Sequence, residues 1–357
     1  MIMNRKVVDS HWHSYPWADE NGKDFYTVID EYQKRLGLAG LNICSIPVHH
    51  DLGPAQNVLP LLYKLHNPTA YAYGGLVYTD KPVKFPQPEG FDMLTQYNEL
   101  MEMGFDGIKM LETKPAEQKE YQVRINDPYF KDFFAAVEKD GTHMIWHVAD
   151  PDTFWDINKI PERFIERGWF YGDGTYMSLE EMYGQVYDIL ESNPNIAVTF
   201  AHFFFLSEHP EKLEELFAKY PNVSIDITPG GEMYAAFREN FEFYKGFFEK
   251  YSDRIFFGTD ASFTHNDLFD HYMNIVTQVY NFCATDKDIE IYGEKCPAIQ
   301  LSEEATDNIL YKNFERVAGT APKPVNKAAV KKYFEKYKSL ITDKELLNLI
   351  ENAVKDF

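Results

Sequence analysis

The feature that most constrains this chain is a short apolar run, rich in β-branched and aromatic residues, that returns eight times. The runs fall at 6–13, 39–47, 70–78, 106–111, 143–149, 196–205, 223–228 and 254–261. Most are spaced by roughly 25 to 40 residues, room for one helix and two loops, which implies βαβ units and a parallel sheet. Eight such units predict an α/β fold closed into a (β/α)8 TIM-type barrel. An open sheet of six or seven strands is the alternative.

The intervening segments carry helical signals. Leu94, Tyr97, Leu100 and Met101 form one stripe in 94–104, which stops at Gly104. Leu213, Leu216, Phe217 and Tyr220 do the same in 211–222, ended by Pro221. The segment 178–194 opens on the capping box Ser178-x-x-Glu181 and closes before Pro194. Two intervals are long: 147–177 after the fifth run, and the stretch from the eighth run to about Ser302. Both follow strand C-termini, the face on which barrel sites are built, so the first is expected to form a lid or pocket wall, with a merely structural excursion as the alternative. The chain divides into a barrel at 1–320 and a short C-terminal helical extension at 321–357, in which 341–357 is the clearest helix.

Charge narrows the partners. With 35 basic against 56 acidic residues the net charge is −21, which repels nucleic acid and anionic membranes and leaves a small molecule as the expected partner. The 28 Phe and 24 Tyr suit a large core and apolar pocket walls. Cys44, Cys283 and Cys296 lack metal-type spacing and read as reduced thiols. The N-terminus runs into a strand with no apolar signal segment, and no stretch is long enough to span a bilayer, so the cytoplasm is the expected compartment. A homodimer is the base-rate expectation.

The chemistry sits at the strand ends. Asp9, His11 and His13 form Asp-x-His-x-His at the end of the first run, and residues two apart in a strand point the same way. Two neutral imidazoles facing the interior can share a divalent cation. His147 lies near the end of the fifth run, His202 closes the sixth and Asp260 closes the eighth. In a closed barrel these positions converge on the axis.

This set resembles the amidohydrolase superfamily, specifically the amidohydrolase-related (amidohydrolase 2) family of hydrolases, lactonases, hydratases and non-oxidative decarboxylases. The likeness includes Gly258-Thr259-Asp260 and the segment 308–319, which is similar to the family's closing Asn-x-x-Arg-x-x-Gly helix. It implies a divalent metal, zinc with manganese as the alternative, held by His11, His13, His147 and Asp260, with His202 just outside. A metal-bound hydroxide would then attack an ester, lactone or amide, with Asp260 as base and His202 steadying the oxyanion. Lys109, at the end of the fourth run, has three readings: a free ammonium clamping a substrate carboxylate, a structural ion pair, or a carboxylated side chain bridging two metals with His147 and His202 as ligands. One ion is favoured. The runner-up reaction is decarboxylation of an aromatic or unsaturated acid, and a non-catalytic binding barrel is a third reading.

Other residues carry weaker expectations. Trp12, Trp155, Trp169 and Phe203 either line the pocket or pack around the rim. Asp226 and Glu232 either assist catalysis or satisfy backbone donors in the Pro-Gly-Gly turn. His265 is a weak substrate-contact candidate, and His49 and His50 read as surface residues.

Overall fold

The computed structural model describes residues 2–15, 25–49, 52–230, 232–262 and 267–357; His50 and His265 lie outside them. Nine strands form one sheet: β1 (Val8–His13), β2 (Gly40–Cys44), β3 (Ala70–Gly74), β4 (Gly107–Thr113), β5 (Met144–Val148), β6 (Val198–Phe200), β7 (Val223–Asp226), β8 (Ile255–Phe256) and β9 (Ala261–Ser262). Their order is β8-β7-β6-β5-β4-β3-β2-β1-β9, with every neighbouring pair parallel.

β8 and β9 are two halves of the eighth barrel strand. One half pairs with β7 (Ile225↔Ile255) and the other with β1 (Trp12↔Ala261). Between them the Ser10 amide donates to the Phe257 carbonyl at 3.0 Å, and the Asp260 amide to the His11 carbonyl at 2.8 Å. The ring therefore closes through the Gly-Thr-Asp segment, and this is the predicted (β/α)8 barrel. The strands are buried from end to end except at Ser262, as a sheet covered by helices on its outer face requires.

The helices follow their sequence signals. Met93–Met103 is capped by the Asp92 side chain and stops at Gly104 with φ +99°. Leu179–Ser192 carries the full Ser178–Glu181 capping box. Pro210–Lys219 ends two residues before Pro221, because the residue preceding a proline is pushed out of the helical region. The sixth run is shorter as a strand than predicted. β6 stops at Phe200, and His202–Phe205 turn through four successive positive φ angles of 51–58°. His202 thus sits just beyond the strand rather than closing it. The insertion after β5 builds a small aromatic cluster of its own around Phe154, Ile160 and Tyr171.

The C-terminal helices Lys327–Tyr337 and Lys344–Val354 pack on the outside of the barrel. The Asn326 amide donates to the Met103 carbonyl, and Tyr337 donates its hydroxyl to Glu99 at 2.9 Å. No helix among the described residues is long and apolar enough to cross a membrane.

Gly104 tests this packing. Its positive φ disfavours any side chain, and a Cβ there would come within 2.3 Å of the Pro324 carbonyl oxygen. Gly104→Ala is expected to destabilise the chain by about 2 kcal/mol or more, measured by urea denaturation. An unchanged midpoint would contradict the close crossing of 322–326 over this turn.

Candidate metal centre

β1 supplies two imidazoles, and each is oriented through its Nδ1. His11 Nδ1 lies 2.9 Å from Asp226 Oδ2 at the end of β7. His13 Nδ1 lies 2.8 Å from the Cys44 carbonyl at the end of β2. Both partners accept, so each Nδ1 carries a proton and each ring turns its Nε2 toward the barrel axis. The two Nε2 atoms face each other at 3.2 Å, and Asp260 Oδ1 approaches to 2.9 Å from His13 Nε2 and 3.6 Å from His11 Nε2. Three atoms of metal-ligand type therefore converge on one point. Among the described residues, His11, His13 and Asp260 are the His/Cys/Asp/Glu group close enough together to hold one metal ion. Two imidazoles, each held through Nδ1 by a hydrogen-bonded partner, and a carboxylate fit a zinc-type site.

Asp260 is placed by a strained backbone, with φ +53°. Its side chain is two-fifths exposed and stands at the mouth of the barrel. Burial pushes its carboxyl upward, but the hydrogen bond and charge of His13, then His11 and His202, outweigh this and hold it well below the usual range.

Lys109, at the middle of β4, is buried behind the pair and donates from Nζ to His11 Nε2 at 2.8 Å. Burial lowers its pKa, against the pull of Cys44, Asp260 and Asp226.

The remaining histidines stand beside this triad. The His147 and His202 rings meet edge to face with centroids 4.8 Å apart. His202 Nε2 is 3.9 Å from Asp260 Oδ2, while its Nδ1 is buried without a partner among the described residues. His147 turns its Nε2 away, toward the Ala149 carbonyl at 2.9 Å and Asp150 Oδ1 at 3.4 Å. It is a neighbour of the three-residue cluster rather than a member. Burial first, then His147, lowers His202 to about 3, so it is neutral at physiological pH.

Asp226 meets backbone donors at His202 and Thr228 rather than in the Pro-Gly-Gly turn itself. One oxygen holds His11, and the other accepts from the backbone of His202 at 2.8 Å and of Thr228 at 3.1 Å. Asp9 lies below the centre, accepting from Thr259 Oγ1 at 2.6 Å, and burial raises it to about 7. Trp12 and Phe203 are fully buried, with Phe203 packed among Phe237, Phe247 and Phe248 away from the mouth. Trp169 stacks near the Lys114 ammonium, and Trp155 donates to the Met177 carbonyl. His49 pairs with Glu117 at 2.6 Å.

A hub that the sequence reading passed over is Asp150. It accepts from the Tyr171 hydroxyl at 2.7 Å, pairs with Lys114 at 3.3 Å and faces His147. Burial opposes its charge, but Lys114 and His147 hold its carboxyl far below the usual range. It ties the ends of β4 and β5 to the aromatic insertion. Its one sequence signal is an acid two residues past a strand end.

The fold and the donor set define a class: a (β/α)8 barrel bearing a His-His-Asp metal-type centre on the C-terminal rim of its strands. No protein-family model matches the sequence, and no curated protein matches it. Solved structures match in fold. An uncharacterized TIM-barrel protein from Bordetella bronchiseptica aligns with TM-score 0.55 and 13% identity, over 88% of this chain and 100% of its own. A 2,6-dihydroxybenzoate decarboxylase aligns with TM-score 0.51 and 13% identity, over 88% of this chain and 99% of its own. An amidohydrolase II aligns with TM-score 0.51 and 12% identity, over 88% and 99%. The fold of this chain is the fold of the amidohydrolase 2 barrels.

Two predictions follow from the geometry. Asp226→Asn leaves the shape intact but weakens the acceptor that fixes His11, so zinc affinity is expected to fall roughly 10- to 100-fold in chelator competition. An unchanged affinity would mean that Asp226 does not orient His11. The second concerns protonation. His143 and His202 are both held at about 3, chiefly by burial. With folded values depressed, their contribution to stability is complete above about 6.5 and is lost as pH falls toward 3. Side-chain NMR signals of both are expected to stay flat between pH 5 and 8; a titration near 6.5 would contradict their burial.

Proposed function

We propose that this chain is a metal-dependent hydrolase opening an ester, lactone or amide of a small organic substrate. The observation that carries the reading is the convergence of His11 Nε2, His13 Nε2 and Asp260 Oδ1 on one point. Zinc suits this mixed nitrogen and oxygen set, with manganese as the alternative. A divalent ion held by His11, His13 and Asp260 would supply a water of pKa about 7 and a Lewis acid for a substrate carbonyl.

The chain's own residues supply the rest. Asp260 is ionised, and its Oδ2 faces the mouth beside His202, placed to take up the proton of an attacking water. His202 is neutral and steadies negative charge developing on the substrate oxygen. Asp226 keeps His11 in one tautomer and fixes the backbone of His202. Phe205, stacked on His202 at 5.1 Å, keeps water from that side. One ion is the reading. A second would require Lys109 to be carboxylated and to act as a bridge, with His147 and His202 turned toward it.

A second reading is decarboxylation of an aromatic or unsaturated acid, favoured by one observation: the decarboxylase among the similar barrels aligns over 88% of the chain. The two readings separate by product. Hydrolysis places oxygen-18 from labelled water in the carboxyl product, whereas decarboxylation releases carbon dioxide and takes up deuterium from heavy water at carbon. Asp260→Ala is expected to lower kcat at least roughly 1,000-fold, and His202→Ala roughly 100-fold, in zinc-loaded protein. Full turnover by Asp260→Ala would refute the assigned role.

A further inference from the structure

Phe205 belongs to two places at once. Its ring stacks on His202 and meets His147, with centroids 5.1 and 5.5 Å away. It also lines a cavity of about 340 Å³ between the helices Leu179–Ser192 and Pro210–Lys219. That volume lies near the lower end for ligand pockets and suits a single small ring system.

The walls are fixed before any ligand arrives. Tyr183 donates its hydroxyl to the Phe204 carbonyl at 2.8 Å, and Tyr187 stacks between Tyr183 and Tyr220. His209 Nε2 lies 2.9 Å from Asp152 Oδ2, tying the start of the second helix to the loop after β5. Polar groups keep to the edge: Asp152 and His209 are half-buried, and Glu180 and Lys212 are exposed. Phe205 and Leu206, by contrast, are buried. No buried charged residue lines the cavity, so its depth offers ring faces and aliphatic carbon, which suit an uncharged guest.

Gly184 supplies an independent observation. It lines the same cavity from inside the helix Leu179–Ser192, where only proline is a poorer helix former than glycine. A Cβ built on Gly184 meets no atom within 4 Å, and its backbone does not adopt the positive φ that favours glycine. Neither packing nor backbone geometry calls for glycine here. What its missing side chain does is keep the cavity open.

We propose that this cavity binds the ring of a small uncharged aromatic molecule, and that its occupancy is felt at His202 through Phe205. The rings of Tyr183, Tyr187 and Phe205 give the guest aromatic partners. Phe205 already touches the imidazole assigned to the developing oxyanion, so a ring packed against it bears on how His202 stands. A ligand that favours one setting of His202 is in turn bound more tightly by it. The site itself is independent of the hydrolase reading; only its consequence for turnover rests on it.

The test uses the zinc-loaded full chain and two shape-matched probes, phenol and cyclohexanol, followed by calorimetry at pH 7 and by the side-chain NMR signals of His202. The wild-type chain is expected to bind phenol roughly tenfold more tightly than cyclohexanol, the scale of an aromatic pair, and to shift the His202 signals as phenol is added. Gly184→Leu fills the cavity from a position with room for a side chain. It is expected to abolish both effects and leave the zinc content unchanged. Equal binding of the two probes by the wild-type chain would overturn the proposal. So would a phenol preference that survives in Gly184→Leu, since the ring would then be meeting the metal. Phenol binding that leaves the His202 signals in place would overturn the coupling through Phe205. Should Gly184→Leu fail to fold, Tyr187→Ala removes one ring from the half-buried edge and is expected to lower phenol affinity severalfold; no change there would overturn the proposal as well. Ester hydrolysis is measured on the same samples. Its absence with phenol binding intact would sink the hydrolase reading alone, and the reverse would sink this one.

Discussion

Asp226 joins three strand ends with one carboxylate. Its Oδ2 takes the Nδ1 proton of His11 from β1, and its Oδ1 takes the backbone amides of His202 and Thr228 beyond β6 and β7. A fully buried carboxylate is tolerated only when its acceptor sites are filled, and these bonds fill them. In doing so they decide which nitrogen of His11 faces the barrel axis. The donor pair of β1 and the backbone position of His202 both depend on this carboxylate.

The same rim carries six of the non-glycine residues with positive φ among the described residues. Ala149, His202–Phe205 and Asp260 adopt φ between +51° and +61°, at the ends of the fifth, sixth and eighth strands. Non-glycine residues in this region cost of order 1 kcal/mol or more each. The turn after β6 swings His202 over the barrel mouth and drives Phe203 into the core, so one local distortion sets a polar and an apolar contact at once. Asp150 performs the related task on the other side, linking His147 and Lys114 to the Tyr171 hydroxyl of the insertion.

The barrel was legible because buried parallel strands must be continuously apolar and helices between them must show a 3.6-residue stripe. Both periods survive in the sequence without any partner being known. His11, His13 and Asp260 were legible for a related reason: polar residues that interrupt apolar runs at their ends stand out. The capping box at Ser178 and Glu181 is local and was read correctly for that reason. The rest depends on tertiary geometry. Nothing in the spacing says that His147 turns its Nε2 to the Ala149 carbonyl and Asp150, or that Lys109 sits against His11. The left-handed turn at 202–205 was equally hidden, because four consecutive aromatic or imidazole residues read as a strand.

The central claim is that two imidazoles and one carboxylate form the core of a metal site. X-ray absorption of the zinc-reconstituted chain tests it most directly. The account predicts a first shell of nitrogen and oxygen at about 2.0–2.1 Å, with the outer-ring scattering of at least two imidazoles. In His11→Ala or His13→Ala one imidazole is expected to vanish from that pattern. Sulfur scattering near 2.3 Å, or a spectrum unchanged by either substitution, would contradict it.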